Sequence, residues 1–326
     1  MLKNGLFIIS LDFELMWGVR DKRSISSYGN NISGVRQVIP NLLQLFSQYN
    51  INATFATVGF LFARNKKELI ANLPKEIPDY SASKYSPYDY ISTIGESEEE
   101  DMYHYAYSLI LLIKKYPQQE IASHTFSHYY CLEGASLTSF EADLEAAKKI
   151  AALYSVDLKT IVFPRNQYSK EHLEICKKTG FIAFRGNEAS TFYHPRSNEE
   201  QSKIIRGTKL ADSYLNITGH HTFKEIKVDT LINIPASRFL RPYSKKLHLA
   251  DFIRLKRIKD SMSYAARNQE GYHLWWHPHN FGINLQQNLN ILEEILKHYE
   301  LLSKKYGMES KTMKTIAEEN LQLHGL

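Results

Sequence analysis

The chain is predicted to fold as one α/β barrel-like domain covering residues 1–326. Three observations carry that prediction. At least six short apolar strand patterns alternate with helical ones, the length of 326 residues suits one barrel without forcing a split, and polar residues able to do chemistry gather where the strands end.

The elements follow in order. Phe7-Ile8-Ile9-Ser10-Leu11-Asp12-Phe13-Glu14 is an apolar strand closing on two acids. After a polar loop containing Tyr28-Gly29-Asn30-Asn31, the residues Val35, Val38, Ile39, Leu42, Leu43, Phe46 and Tyr49 recur at helical spacing. Ala53 to Gly59 reads as the second strand, which completes a strand, helix, strand unit of the kind that builds parallel sheets. Pro74, Pro78, Pro87 and the acidic run Glu96 to Asp101 mark residues 74–100 as a loop insertion. Met102 to Lys115 is expected to be helical, Glu120 to Ser123 a strand, and Leu137 to Tyr154 a helix with Thr138 and Ser139 available as caps. Thr160 to Phe163 is a strand that stops at Pro164-Arg165-Asn166. Lys170 to Lys178 is a helix ending at Gly180, before the strand Phe181 to Gly186. Residues 187–227 are less regular. Thr230 to Pro235 and Tyr272 to Trp276 are strands, and helices near 285–305 and 309–323 close the fold.

Composition sets the broad class. A content of 43% hydrophobic and 23% charged residues is that of a globular protein with a sizeable core. The net charge of +5, from 40 basic against 35 acidic residues, gives no reason to expect nucleic acid. Cys131 and Cys176 make no disulfide framework and suit a reducing compartment. No secretory signal is visible, and no apolar run reaches the roughly eighteen residues needed to span a bilayer, so a cytoplasmic location is expected. The oligomeric state cannot be read.

The chemistry centres on Ser123-His124-Thr125-Phe126-Ser127-His128. Two imidazoles four residues apart can converge on one divalent ion, which then needs a third protein ligand. Asp12 and Glu14 fall on one face of their strand because side chains alternate with a period of two, so one acid can bind an ion while the other handles a proton. His-x-x-x-His alone is weak in a chain with thirteen histidines, and Asp12 alone could end a strand or cap a helix. The joint pattern is far more specific. Other polar groups at strand ends are Arg165 and the run His277-Pro278-His279-Asn280.

These motifs resemble the polysaccharide deacetylase, or NodB-homology, family of carbohydrate esterases, over roughly residues 5 to 283. The resemblance implies an irregular (β/α) barrel that uses a divalent metal, often zinc, to remove N- or O-acetyl groups from sugars. Leu11-Asp12-Phe13-Glu14 looks like the family's first motif, implying Asp12 as catalytic base and Glu14 as metal ligand. Ser123 to His128 looks like the second, implying His124 and His128 as metal ligands. Phe163-Pro164-Arg165 is similar to the third, whose arginine orients the base, and Leu274-Trp275-Trp276-His277 to the last, whose histidine is the general acid. The family's first motif has adjacent aspartates, whereas Phe13 here separates Asp12 from a glutamate. Which of the two acids touches the metal therefore stays open.

Trp17 and Trp276, with His279 and Asn280, are the candidate substrate contacts, the tryptophans as an apolar wall for a sugar or an acyl methyl; Trp275 is a further candidate wall. Without an export signal, a nucleotide-linked or lipid-linked saccharide precursor is the expected substrate. Two other classes compete: a metal-independent amidohydrolase acting on a non-sugar C–N bond, which the altered first motif allows, and a non-catalytic barrel that binds phosphate or a membrane. The last draws on residues 238–259, where Arg238, Arg241, Lys245, Lys246, Arg254, Lys256, Arg257 and Lys259 face the single acid Asp251. Such a run is commonly a solvated helix face; alternatively it gathers a diphosphate or makes peripheral contact with the inner membrane face.

Overall fold

A computed structural model describes residues 2–188, 207, 211–214 and 216–325, so much of the irregular stretch after the fifth strand lies outside the described residues. Strands β1 (Leu6–Phe13), β2 (Ala53–Thr57), β3 (Glu120–Ser123), β4 (Thr160–Ile161) and β5 (Ala183–Gly186) lie side by side in chain order, all parallel. β6 (Lys227–Val228) runs antiparallel to β7 (Ile232–Pro235), while β8 (Arg238–Phe239) runs parallel to β9 (Gly271–Trp276). β9 returns to pair with β1 in parallel.

One extended segment joins the two ends of this sheet. β7 pairs with β5, and Ala236 donates to Gly186 O at 2.8 Å; one residue later Ser237 donates to His273 O at 2.8 Å, and β8 pairs with β9. The chain thus hands its hydrogen bonds from one neighbour to the other within two residues. The ring runs from β1 through β5, then through residues 232–239, to β9 and back to β1. Two-residue strands at β4 and β8 make it an irregular barrel.

Alternation along the strands sorts the core into two compartments. Leu6, Ile8, Ala56, Ala122, Val162, Ala183, Ile232 and Ile234 pack together inside the ring. Phe7, Ile9, Leu11 and Phe13 face outward, into the larger core beneath the helices. That shell is α1 (Ile25–Ser33), α2 (Val35–Gln48), α3 (Lys66–Ala71), α4 (Tyr107–Lys114), α5 (Leu137–Ala152), α6 (Lys170–Lys178), α7 (Asp251–Asn268), α8 (Leu285–Tyr306) and α9 (Met313–His324).

Several elements differ from the sequence expectations. The stretch around Tyr28-Gly29-Asn30-Asn31 is helix α1 rather than a loop, opened by Ser24 and Ser27 in a reciprocal cap. The helix expected from Met102 begins at Tyr107, because Asp101 ties down the preceding turn by accepting from Tyr103 N–H (3.1 Å) and contacting the His104 ring (2.7 Å). The last helix starts at Met313, since Glu309–Ser310 forms a short strand, β10, beside the start of β1. The 74–100 insertion packs down through Tyr80 and Tyr85 against Tyr130.

The basic run 238–259 is corrected most. Arg238, Arg254 and Arg257 are buried and hold protein oxygens: Arg238 donates to Asp212 O (2.9 Å), Arg254 to the carbonyls of Arg241 and Pro242, and Arg257 to Gly219 O (2.5 Å) and Ser261 Oγ (2.7 Å). Lys256 and Lys259 pair with Asp260 and Glu294. The three buried arginines therefore form neither a solvated face nor an open phosphate-gathering one, while Lys245 and Lys246 stay exposed.

Candidate active site and metal centre

Parallel strands bring their C-terminal ends to one mouth of the barrel, and the sequence loads those ends with polar groups. On β1 the inward positions run Leu6, Ile8, Ser10, Asp12, and the alternation carries on to Glu14 just past the strand. On β9 they are His273 and Trp275, and the alternation carries on to His277 just past the strand. Ser10 Oγ meets His273 Nε2 at 2.8 Å across the paired strands.

The histidine loop is not helical. Thr125 (φ 62°) and His128 (φ 58°) both adopt left-handed backbone, which non-glycine residues rarely do, and these two kinks turn both imidazoles towards the same point. Asp143 on α5 holds the loop in this shape. Its buried carboxylate accepts from Phe126 N–H (2.6 Å), Ser127 N–H (3.1 Å) and the Ser127 hydroxyl. Burial pushes the Asp143 carboxyl up to about 6 against these hydrogen bonds.

Glu14, His124 and His128 present ligand atoms within 4.8 Å of one another, all buried. Glu14 Oε2 lies 2.9 Å from His128 Nε2 and 3.3 Å from His124 Nε2. The Val162 carbonyl accepts the Nδ1 proton of His124 at 2.8 Å, which leaves Nε2 as a bare lone pair aimed at the carboxylate. Burial pushes the His128 imidazole down to about 4, despite the opposing pull of Glu14, so it is neutral near pH 7. Burial also works to raise the Glu14 carboxyl, but the neighbouring His277 leads the opposing pull that holds it well below the usual carboxylate range. An anionic oxygen facing a nitrogen lone pair repels it unless a cation lies between them. The donor set fits a divalent ion, and two imidazoles with one carboxylate are ordinary zinc ligands. Gly18 makes room for the carboxylate, since a Cβ there would lie 1.9 Å from Glu14 Cδ.

Asp12 sits beside this cluster, gripped by Arg185 of β5: Nη1 to Oδ1 is 2.7 Å and Nη2 to Oδ2 is 2.9 Å. Arg185 also donates to Ser10 Oγ and Asn166 Oδ1, both at 3.0 Å. Burial favours the neutral acid, but the Arg185 guanidinium beside it outweighs this and keeps Asp12 below the ordinary aspartate value. His277 Nε2 lies 3.8 Å from Asp12 Oδ2 and 3.7 Å from Glu14 Oε1. His279 stacks on His277 with ring centroids 5.0 Å apart, and burial drives its imidazole down to about 3.

The cavity over these groups has a volume of about 410 Å³. Asp12, Glu14, His128, Arg165, Asn166, Phe239, Trp275, His277, His279 and Asn280 are among its lining, as are Lys22, Arg23 and Tyr28. Three of the expected assignments change. The guanidinium on Asp12 belongs to Arg185 and not to Arg165, whose left-handed turn (φ 56°) carries it instead to Asp21 and over the Tyr130 ring at 3.9 Å. Trp17 is core: fully buried, it donates its indole N–H to His104 O (2.8 Å) and meets Phe60 edge-on. Trp276 is also core, stacked on Phe281 outside the ring. Trp275 takes the wall position, 4.2 Å from the Arg185 guanidinium.

The polysaccharide deacetylase family model matches residues 28–184 of this sequence. Over that span, just under half of the chain, the sequence matches the polysaccharide deacetylases. The matched span contains His124, His128 and Arg165; Asp12, Glu14, Arg185 and His277 lie outside it and join the site through the fold. Hydrolysis of acetyl amide or ester bonds is this family's chemistry. Among solved structures, a Mycobacterium smegmatis protein assigned as a polysaccharide deacetylase superposes with a TM-score of 0.61 at 12% identity, covering 99% of this chain and 93% of that one. Puue allantoinase superposes with a TM-score of 0.53 at 10% identity, covering 98% of this chain and 91% of that one. At such identities the likeness is one of fold. No curated protein matches this sequence.

Proposed function

We propose that the chain, acting as one barrel domain, is a metal-dependent deacylase that removes an N- or O-acyl group, acetyl foremost, from a saccharide. One observation carries this reading: the Glu14, His124 and His128 donors converge beside a second, separately held carboxylate and a histidine, all at one barrel mouth. Glu14, His124 and His128 would hold the ion, zinc first among the candidates. Such an ion polarises an acyl oxygen and lowers the pKa of water near it.

The rest of the chemistry falls to the chain's own side chains. Asp12 accepts the proton of the attacking water, and Arg185 keeps its carboxylate ionised and fixed in direction. His277, close to both acids, hands a proton to the departing amine or alcohol. His279 stacks on His277 and sets its plane. Trp275 and Phe239 give the sugar an apolar wall, and Asn280 a polar contact. A nucleotide-linked or lipid-linked saccharide precursor is the substrate class proposed.

The test is to incubate the purified chain with acylated nucleotide sugars and lipid-linked glycans, following released acetate or formate, and to measure its metal content. About one divalent ion per chain, lost in the His124→Ala/His128→Ala double variant together with turnover, is the expected result. Turnover that survives complete removal of metal would overturn metal dependence and favour an amidohydrolase working through Asp12 and His277 alone.

A further inference from the structure

We propose that residues 245–252, with Ile283 beside them, form a docking surface for an anionic lipid bilayer at the mouth of the barrel. β8 runs parallel to β9, so the chain leaving Phe239 emerges at the end where His277 sits. There it exposes large apolar side chains: Leu247 is 42% accessible, Leu249 79% and Phe252 69%. Leu249, Phe252 and Lys256 follow one another at helical spacing around the start of α7, forming one outward stripe.

The backbone behind this patch is firmly held. Arg254 binds the carbonyls of Arg241 and Pro242 and pairs with Asp251 at 2.8 Å. The Asn288 side chain accepts from Tyr243 N–H (2.7 Å) and donates to Ile283 O (3.1 Å), which brings Ile283, itself 45% exposed, alongside. Burying an arginine to fasten a loop whose leucines and phenylalanine point into solvent is hard to explain by folding alone.

Charge selects the occupant. Lys245, Lys246 and His248 are exposed within the patch, and the two lysines have no acidic partner among the described residues. The one acid there, Asp251, is taken by Arg254. Leucine and phenylalanine tips ringed by unpaired lysines match a bilayer with acidic headgroups, where the apolar tips enter the acyl boundary and the lysines stay at headgroup level. No helix among the described residues is long and apolar enough to cross a membrane, so the contact is peripheral. Docked this way, the barrel mouth faces the lipid surface.

The experiment is cosedimentation of the full chain with sucrose-loaded vesicles of phosphatidylcholine, alone or with about one third phosphatidylglycerol. It reads binding without turnover, so its outcome is independent of the deacylase reading. Wild type should sediment with the acidic vesicles and stay in solution with the neutral ones, binding should weaken as salt is raised, and Lys245→Ala/Lys246→Ala should lower the partition coefficient roughly fivefold per lysine. Leu249→Ser/Phe252→Ser should lower it roughly tenfold or more, with the melting temperature unchanged because both side chains are exposed. Leu323→Ser, at an equally exposed leucine beside the cavity below the start of β1, should bind as wild type does. The proposal is overturned if wild type ignores acidic vesicles, if the apolar double variant binds undiminished, or if Leu323→Ser loses as much. It is equally overturned if sedimentation velocity shows instead a self-associated species that the apolar double variant abolishes, which would make the patch a protein interface.

Discussion

Arg185 holds Asp12 through a two-pronged ion pair, 2.7 and 2.9 Å, between residues 173 positions apart and enclosed by the barrel. The fork does more than neutralise a buried charge. It leaves one edge of the carboxylate facing the cavity and His277, and it keeps that edge ionised.

Replacing Arg185 with lysine keeps the charge but loses the fork, and should lower kcat roughly 10- to 100-fold. Asp12 is held below its ordinary value of about 4, so its pairing stabilises the fold above that value and is lost as pH falls through the lowered pKa. Arg185→Lys should therefore move the acid limb of the kcat profile to higher pH. Arg165→Ala, which removes a guanidinium facing Asp21 and Tyr130, should leave that limb in place. A pH–rate profile of the two variants is the check, and equal shifts would return the orienting role to Arg165.

Gly18→Ala tests the carboxylate's seat. The added methyl would overlap Glu14 at 1.9 Å and push its oxygens away from the imidazoles. Metal affinity should fall roughly 10- to 100-fold in a competition titration, while the fold, read by circular dichroism, stays intact.

The sequence made the acids and the histidine pair legible because both obey simple geometry. Asp12 and Glu14 share a strand face, and His124 and His128 follow directly on an apolar strand. The same period-two rule, applied outward from His277, places Trp275 inside the ring and Trp276 outside. It also turns Arg185 inward, two residues beyond the interior Ala183 in Phe181-Ile182-Ala183-Phe184-Arg185-Gly186. An arginine within so apolar a strand was the signal for the partner of Asp12. No such rule reveals Asp143, whose role depends on a loop bent by two left-handed residues. Nor can a count of charges show that Arg238, Arg254 and Arg257 spend theirs on buried protein oxygens.

Asp143 should show itself in the pH dependence of stability. Its carboxyl is raised by burial from the ordinary value of about 4 to about 6, so folding favours the protonated form. The Asp143 contribution to stability is then greatest below about pH 4 and declines as pH rises through about 6, by roughly 3 kcal/mol. Asp143→Asn should flatten that decline in melting temperature. It should also weaken metal binding, because an amide group faces the N–H groups of Phe126 and Ser127 with one acceptor instead of two.

The two adjacent tryptophans of β9 should separate binding from folding. Trp276 is sealed between Phe46 and Phe281, so Trp276→Ala should cost roughly 3–5 kcal/mol in denaturant unfolding. Trp275 is part-buried, covers Arg185, and donates its indole N–H to Glu188 at 3.3 Å on the cavity side. Trp275→Leu keeps an apolar surface but removes the flat face on which a sugar ring can rest, so KM should rise several-fold with a smaller change in kcat. If Trp275→Leu instead destabilised the chain as much as Trp276→Ala and left KM unchanged, the cavity wall would have to be sought at Phe239 and Tyr28.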